Sequence, residues 1–269
     1  MVTANFGALK GFVKCFTCLK ISRLLVSDPN FMTMKTTSRI LIATFCAATL
    51  SVANAADITG KITLKGTPPP AIELTDVKNN ADCSKMHTEP VMTQHFIVGA
   101  NGELANVIVA LKGVPAKAGG ESAKPGVLDQ KGCLYTPQIQ AIQTNQKLLV
   151  KTSDPISHNV HTLPSVAGNK EDNKGQAAGQ PDLVFTFAKP ENFLKVKCDI
   201  HPWMFAWVSV FDHPYFAVTD KDGKFTIKDV PPGKYTIEAR HRKAAPDGVT
   251  KEIEVKDSGA TADFTLEVK

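Results

Sequence analysis

Three side chains that bind soft metal ions occur at regular spacing in "VKCDIHPWMFAW", residues 196–207. Cys198, His201 and Met204 are each separated from the next by two residues, so one short loop carries a thiol, an imidazole and a thioether. These donors favour copper. Because a buried Cys and a core Met are also ordinary residues, the loop alone leaves the end of a strand as an alternative interpretation.

A second stretch, "SDPISHNVHTLP", offers the donor that this loop lacks. A blue copper site needs two imidazoles, one thiolate and a weak axial thioether. His158 and His161 are three residues apart, and in an extended chain such side chains point to opposite faces, so only one is expected to reach the ion. We choose His158 and predict a copper site formed with Cys198, His201 and Met204.

The first 55 residues have the pattern of a targeting segment rather than of a folded domain. From Met34 the sequence runs "MKTTSRILIATFCAATLSVANAADITG", with two basic residues, an apolar stretch and the small residues Ala53 and Ala55 before a cleavage site. We interpret residues 1–55 as a leader with a signal peptide, expect translation to start at Met34, and expect a periplasmic or secreted protein. No later apolar run approaches membrane-spanning length.

The basic charge of the chain comes from this leader. Of 31 basic and 26 acidic residues, six and one lie in residues 1–55, which leaves 25 of each in the remainder. A neutral mature chain is no argument for nucleic-acid or membrane binding, so we expect neither kind of partner.

The mature chain consists of short β-rich runs such as "DITGKITL", "NVIVAL", "KLLVKT", "LKVKC" and "KYTIEAR". Many of them alternate apolar with polar residues, and no segment has the pattern of a long amphipathic helix. The pattern predicts an all-β sandwich, with loops at 65–71, 115–126 and 166–182. After Phe211 the sequence pattern changes to a hairpin with a Gly turn, a Pro-Pro-Gly turn and a further strand. We therefore predict one domain over 56–212 and a small second β unit over 213–269.

"CDIHPWM" resembles the ligand loop of the cupredoxins, most closely the short loop of amicyanin, and "SHNVH" resembles the segment that carries the other His ligand. The resemblance covers about 145–212. It implies a cupredoxin-like Greek-key β-sandwich with one type 1 copper bound by His158, Cys198, His201 and Met204. It also implies that Asn159 joins the two ligand loops by hydrogen bonds and that Pro202 supports the site.

The C-terminal "TDKDGKFTIKDVPPGKYTIEARH" is similar to a carboxypeptidase-regulatory-like β-sandwich module. The whole chain thus resembles bacterial exported proteins that combine a plastocyanin-like region with such a module, some of them described as methylamine-utilisation proteins. The partner of amicyanin, a methylamine dehydrogenase, does not transfer to this chain, so the donor and acceptor proteins stay unidentified.

Cys83 and Cys133 remain once Cys198 is assigned to copper, and in an oxidising compartment we expect them to form a disulfide. A second metal site made of Cys83, Met86 and His87 is the alternative. The other histidines, His95, His213 and His241, have no ligand-like spacing with one another, and we expect structural or surface roles for them.

Trp203, Phe205 and Trp207 add apolar bulk around the ligand loop. Core packing is one interpretation; the other is a dry rim where a redox partner docks, for which Trp203 and Phe205 are our candidates. We find no nucleophile motif, phosphate loop or second set of copper motifs, and therefore expect an electron carrier rather than an enzyme. The alternative is a non-redox copper-binding protein, or a scaffold or carbohydrate-binding β-sandwich protein.

The predicted cleavage site is directly testable. We expect the exported protein to begin at Ala56, because Ala53 and Ala55 occupy the two positions where signal peptidase requires small residues. N-terminal sequencing of the protein recovered from the periplasm measures this. A protein that retains Met1 would contradict both the export prediction and the compartment argument for the disulfide.

Overall fold

The computed structural model describes residues 54–268, and the predicted leader lies almost entirely outside them. These residues are nearly all β-structure, as predicted, with one five-residue helix, α1 (Thr75–Asn79). The strands of the first half are β1 (Ala56–Lys65), β2 (Ile108–Lys112), β3 (Gly126–Gln130), β4 (Tyr135–Thr136), β5 (Ile139–Gln143), β6 (Leu148–Thr152), β7 (His158–Leu163) and β8 (Asp172–Gln176). Those of the second half are β9 (Leu183–Phe185), β10 (Glu191–Lys197), β11 (Phe205–Phe211), β12 (Phe216–Val218), β13 (Lys224–Val230), β14 (Gly233–His241), β15 (Ala245–Val255), β16 (Ala260–Thr261) and β17 (Phe264–Glu267).

The first sandwich is built from two sheets with strand orders β5-β11-β10-β7-β8 and β4-β3-β6-β9. Both sheets contribute to one buried core, because alternate residues of each strand point inward. In β11, for example, Ala206, Val208 and Val210 are buried, whereas Phe205 and Trp207 lie on the outer face. The predicted loop at 166–182 contains β8, which forms the edge of the first sheet, so this part of the loop prediction is wrong.

The second sandwich combines strands from both ends of the described chain. Strand β1 pairs antiparallel with β13 and parallel with β17, and β2 lies between β12 and β14. Its core contains Ile58 and Ile62 of β1 together with Ile227, Ile237 and Phe264 of the C-terminal strands. The boundary at 212/213 stays a prediction, but residues 213–269 share their sheets and core with 56–65 and 108–112. The reason is physical, since so short a stretch cannot bury both faces of its own strands.

The disulfide between Cys83 and Cys133 is present, as predicted, and Cys198 is free and buried. The bond joins the segment after α1 to the turn between β3 and β4, and it packs in a small apolar cluster that includes Val77 and Trp203.

The alternative metal site at Cys83, Met86 and His87 is therefore wrong. Its thiol is consumed by the disulfide, and the His87 Nε2 atom lies 2.7 Å from the Gly132 carbonyl oxygen.

Within residues 54–268, no helix is both long and apolar enough to cross a lipid bilayer.

Burial of His241 in the second sandwich makes stability depend on pH. Its side chain is 3% exposed, and its Nδ1 atom accepts hydrogen bonds from the backbone N–H groups of Lys243 and Ala244. Desolvation lowers the pKa of His241 from 6.5 to about 4. The folded protein thus excludes a proton that the unfolded chain binds below pH 6.5, so this contribution to stability is present above pH 6.5 and is lost as the pH falls toward 4.

We expect His241→Asn, which keeps a side-chain acceptor, to remove about 3 kcal/mol of the fall in unfolding free energy between neutral pH and pH 4. Urea unfolding of the wild type and the variant, followed by circular dichroism at both pH values, measures the difference. Equal pH dependence in the two proteins would show that His241 is protonated in the folded state.

Candidate metal centre

The order of strands in the first sandwich brings the two predicted ligand segments together. Strand β10 ends at Lys197, directly before Cys198, and β11 begins at Phe205, directly after Met204. These two strands form a hairpin, so residues 198–204 are its connecting loop. Strand β7 lies on the other side of β10 and begins with His158. The loop and the start of β7 therefore meet at one end of the sheet.

Three donor atoms converge at this end. The Nδ1 atoms of His158 and His201 are 3.0 Å apart, and the Cys198 Sγ atom is 3.7 Å from the His201 Nδ1 atom. One ligand atom from each residue can be chosen so that all three lie within 4.8 Å of one another. The side chains are 1%, 4% and 0% exposed for His158, His201 and Cys198, respectively. A single ion can thus be reached by two imidazoles and one thiol.

Met204 closes the loop that carries two of these donors. Its N–H group donates to the His201 carbonyl (2.8 Å), and its own carbonyl accepts from the Cys198 N–H group (3.0 Å). The Met204 side chain is fully buried in the core cluster that contains Cys198. The tight backbone ring brings the Met204 backbone next to the backbones of Cys198 and His201.

Asn159 links the two ligand segments. Its Oδ1 atom accepts hydrogen bonds from the N–H groups of Asp199 (2.7 Å) and Ile200 (3.3 Å) and lies 3.3 Å from the Cys198 sulfur. The Asn159 N–H group points at the same sulfur from 3.5 Å. One side chain on β7 therefore holds the backbone of the loop, and hydrogen bonds from N–H groups to sulfur stabilise a thiolate.

Asp154 is a residue of the site that the sequence analysis missed. Its side chain is 2% exposed, and its carboxylate lies 2.9 Å from the His158 Nε2 atom, on the side of the ring opposite the Nδ1 atom that faces His201. The backbone N–H groups of Gly132 and Cys133 also donate to this carboxylate. Such a carboxylate fixes the ring orientation of a metal-binding His. Its position four residues before His158 was the available signal.

The hydrogen bonds around the donors shift their pKa values in opposite directions. Burial disfavours the charged form of His158, but the Asp154 carboxylate and the Cys198 sulfur outweigh it and raise its pKa to about 9. Burial likewise opposes ionisation of Cys198, yet His158 and nearby N–H groups lower the pKa of its thiol. Burial and the charge of His158 lower the pKa of His201. The surroundings thus favour a thiolate, the form that binds metal.

The structure separates His161 from the other donors. It lies on the opposite face of β7, where its two ring nitrogens are each 2.9 Å from a carboxylate oxygen, of Asp199 and of Glu171. This imidazole is half-buried at the surface and has both nitrogens occupied. His158, and not His161, faces Cys198.

The predicted supporting and docking residues form one edge of the loop. Pro202 is exposed, whereas Trp203 and Phe205 are half-buried. The Trp203 ring lies 5.2 Å from the His201 ring, centroid to centroid, and its indole N–H donates to the Cys133 carbonyl (3.1 Å). The disulfide region thus supports the ring that covers His201. Farther along β11, the Trp207 ring is covered by the guanidinium of Arg242, 3.4 Å from its centroid.

A family model matches the C-terminal part of the chain. Residues 215–269 match the model of a family described as BOS complex subunit NOMO1-like, second beta sandwich domain. The search of curated proteins finds no match.

Solved structures similar to part of the chain include copper proteins. A Cu-containing nitrite reductase from Thermus scotoductus SA-01 matches 38% of this chain and 25% of its own length, with 21% identity and a TM-score of 0.30. A purple cupredoxin from Nitrosopumilus maritimus matches 32% of this chain and 98% of its own length, with 18% identity and a TM-score of 0.27. An amicyanin methionine-to-alanine variant, in the Cu(I) state, matches 38% of this chain and 97% of its own length, with 19% identity and a TM-score of 0.29. Such partial likeness defines no family for the whole chain.

The linking role of Asn159 predicts a large effect of its removal. We expect Asn159→Ala to lower the free energy of unfolding by about 1–3 kcal/mol, because two partly buried N–H groups of the loop lose their acceptor and each such hydrogen bond contributes about 0.5–1.5 kcal/mol. Asn173→Ala is the matched control, since the Asn173 side chain bonds the side chains of Asn159 and Asp199 but no N–H group of the loop. Denaturant unfolding of both variants measures the effects, and equal destabilisation by the two would contradict the assignment.

Proposed function

We propose that the protein binds one type 1 copper ion through His158, Cys198, His201 and Met204 and acts as a one-electron carrier. The observation that carries the proposal is the convergence of two imidazole Nδ1 atoms and one free, buried sulfur. A free thiol is informative in this chain, because two other cysteines of the described range have formed a disulfide.

The chemistry of the donors favours copper over zinc. Structural zinc sites take four ligands from Cys, His and carboxylates. Here the two imidazoles and the thiol are accompanied by the buried thioether of Met204, and thioether sulfur selects copper. The nearest carboxylate, that of Asp154, is held by two backbone N–H groups and faces the far nitrogen of His158, so it orients a ligand rather than acting as one.

The residues around the donors hold them still. When bound, copper supplies a one-electron couple between Cu(I) and Cu(II). Asn159 fixes the loop to β7, Asp154 fixes the His158 ring, and Trp203 covers His201 while bonded to Cys133. Donors held in this way need little movement when the charge of the ion changes. Four protein ligands leave no position for a substrate, which favours a carrier over an enzyme.

Location and partners follow from the same proposal. A disulfide in the described chain and a signal-like leader together favour the periplasm or the exterior of the cell. Partner proteins that deliver and accept the electron would dock where the loop edge of Pro202, Trp203 and Phe205 approaches His201. We propose no nucleic-acid partner and no membrane span in the mature protein.

A second candidate function is supported by the family match of residues 215–269 to a β-sandwich domain of a NOMO1-like protein. In this alternative, the protein is a non-redox copper-binding protein or a scaffold, whose second sandwich binds a protein or a carbohydrate. Reversible one-electron reduction separates the two functions, because a scaffold or a storage site requires none.

The proposal predicts that the copper-loaded protein is blue when oxidised. Cys198→Ser should abolish the intense visible band, because the colour arises from charge transfer between the thiolate and Cu(II). Met204→Gln should keep the metal and lower the reduction potential, since an oxygen donor favours Cu(II) over Cu(I). Visible absorption and cyclic voltammetry on stoichiometrically loaded protein measure both effects.

His158→Ala and His161→Ala form a matched pair for the same measurements. The first should remove the band, whereas the second should leave it nearly unchanged, because His161 is bonded to two carboxylates on the other face of β7. Loss of the band in His161→Ala alone would overturn the ligand assignment. A wild-type protein that takes up copper without any intense visible band would overturn the carrier function.

A further inference from the structure

A cavity of 210 Å³ lies beside the candidate metal centre, separated from it by the Trp203 ring. We infer that this cavity is a binding site for a small, neutral, monocyclic aromatic molecule that carries a hydroxyl group, the class to which phenol belongs. The site lies between the segment around Leu74, the strand β4 region and the start of β11. It involves none of the four candidate copper ligands.

The volume sets the size of the ligand. Sites for drug-sized molecules have volumes of roughly 300–1,000 Å³, so 210 Å³ is too small for a fused ring system with substituents. A dry apolar cavity of about 150 Å³ holds benzene. One six-membered ring with a small substituent therefore matches the space available.

The walls set the shape of the ligand. Leu74 and Leu134 supply aliphatic surface, and Trp203 and Phe205 supply two aromatic rings. A flat ring can stack against or meet the edge of these rings, which adds attraction beyond that of the buried area alone. The exposed thioether of Met92 stands at the rim, and such groups also contact ring edges favourably.

The polar groups that line the cavity determine which charge and which substituent the ligand can carry. In the part of the chain that the structure describes, the cavity is lined by no Asp, Glu, Lys or Arg side chain. Thr136 and Gln138 offer uncharged donors and acceptors that match a hydroxyl group. His95 also lines the cavity, and desolvation together with the charges of Lys243 and Arg242 lowers its pKa, which disfavours its charged form. An ionic ligand would lose its hydration without gaining a partner.

The wall nearest the metal centre is already rigid. The Trp203 indole N–H is bonded to the Cys133 carbonyl, and the Tyr135 hydroxyl is bonded to the Asn159 carbonyl at 3.2 Å. Both rings are therefore ordered before any ligand arrives, which reduces the entropic cost of binding. A ring bound in the cavity would contact the same Trp203 that lies against His201.

Nuclear magnetic resonance of the two tryptophan side chains tests this site on the purified exported protein, with no metal added. The chain contains two Trp residues, so two indole N–H signals are expected, and Trp203→Phe and Trp207→Phe assign them. Titration with phenol should shift the Trp203 signal saturably and leave the Trp207 signal in place. Shifts of neither signal, or of both equally and without saturation, would overturn the proposal. Because no copper is present, the result is independent of the proposed carrier function.

Calorimetric titration with phenol provides a second measurement. Thr136→Phe should fill the cavity and weaken binding about tenfold or more. Thr250→Phe is the matched control, an exposed strand threonine outside the cavity, and should bind as the wild type does. Benzoate should bind the wild type about tenfold more weakly than phenol, because its charge finds no partner. Equal affinities for all three proteins, or tighter binding of benzoate, would contradict the site.

Discussion

One buried carboxylate connects the parts of the molecule on which the candidate site depends. Asp154 accepts hydrogen bonds from the N–H groups of Gly132 and Cys133 and from the His158 ring. Removing an ion from water costs several kcal/mol, and only good geometry with every oxygen partnered offsets it. The turn that bears the disulfide, the strand that bears His158 and the loop opposite must therefore keep their places together. Trp203, bonded to the Cys133 carbonyl, completes the connection from the disulfide back to the loop.

The grouping of the candidate ligands in one loop was predictable because its signal is local. The spacing of Cys198, His201 and Met204 is read directly from a short loop. The alternation of side chains along a strand predicts only that His158 and His161, three residues apart, point to opposite faces; that His158 faces Cys198 is seen in the structure. The signal for Asp154, its position four residues before His158, is weak, because a single acidic residue before a Pro is usually a turn residue. Its role appears only when the turn at Gly132 and Cys133 is placed against it, which is a long-range packing event.

The fold was predictable as a class but not as a topology. Alternating apolar residues identify strands such as β1, β2 and β14, but they do not identify the partner of each strand. Strand β8, "DNKGQ", has no apolar residue at all, and it is a strand because it completes the edge of the sheet beside β7. In the same way, the pairing of β1 with β13 and β17 depends on the need of both segments to cover exposed apolar faces.

That pairing also determines when each half of the molecule can form. Strand β1 lies between β13 and β17. The sheet around Ile62 is therefore complete only when Phe264, its register partner in the C-terminal strand β17, is in place. The buried core of the first sandwich, by contrast, is drawn from residues 128–210. As the exported chain emerges from its N-terminal end onward, the core of the first sandwich is complete in sequence before β1 of the second sandwich meets its C-terminal partners. Contacts between distant segments form slowly, and an unpaired apolar strand is prone to aggregation in the meantime. The strand order of the second sandwich thus determines that it can be completed only after the C-terminal strands have emerged.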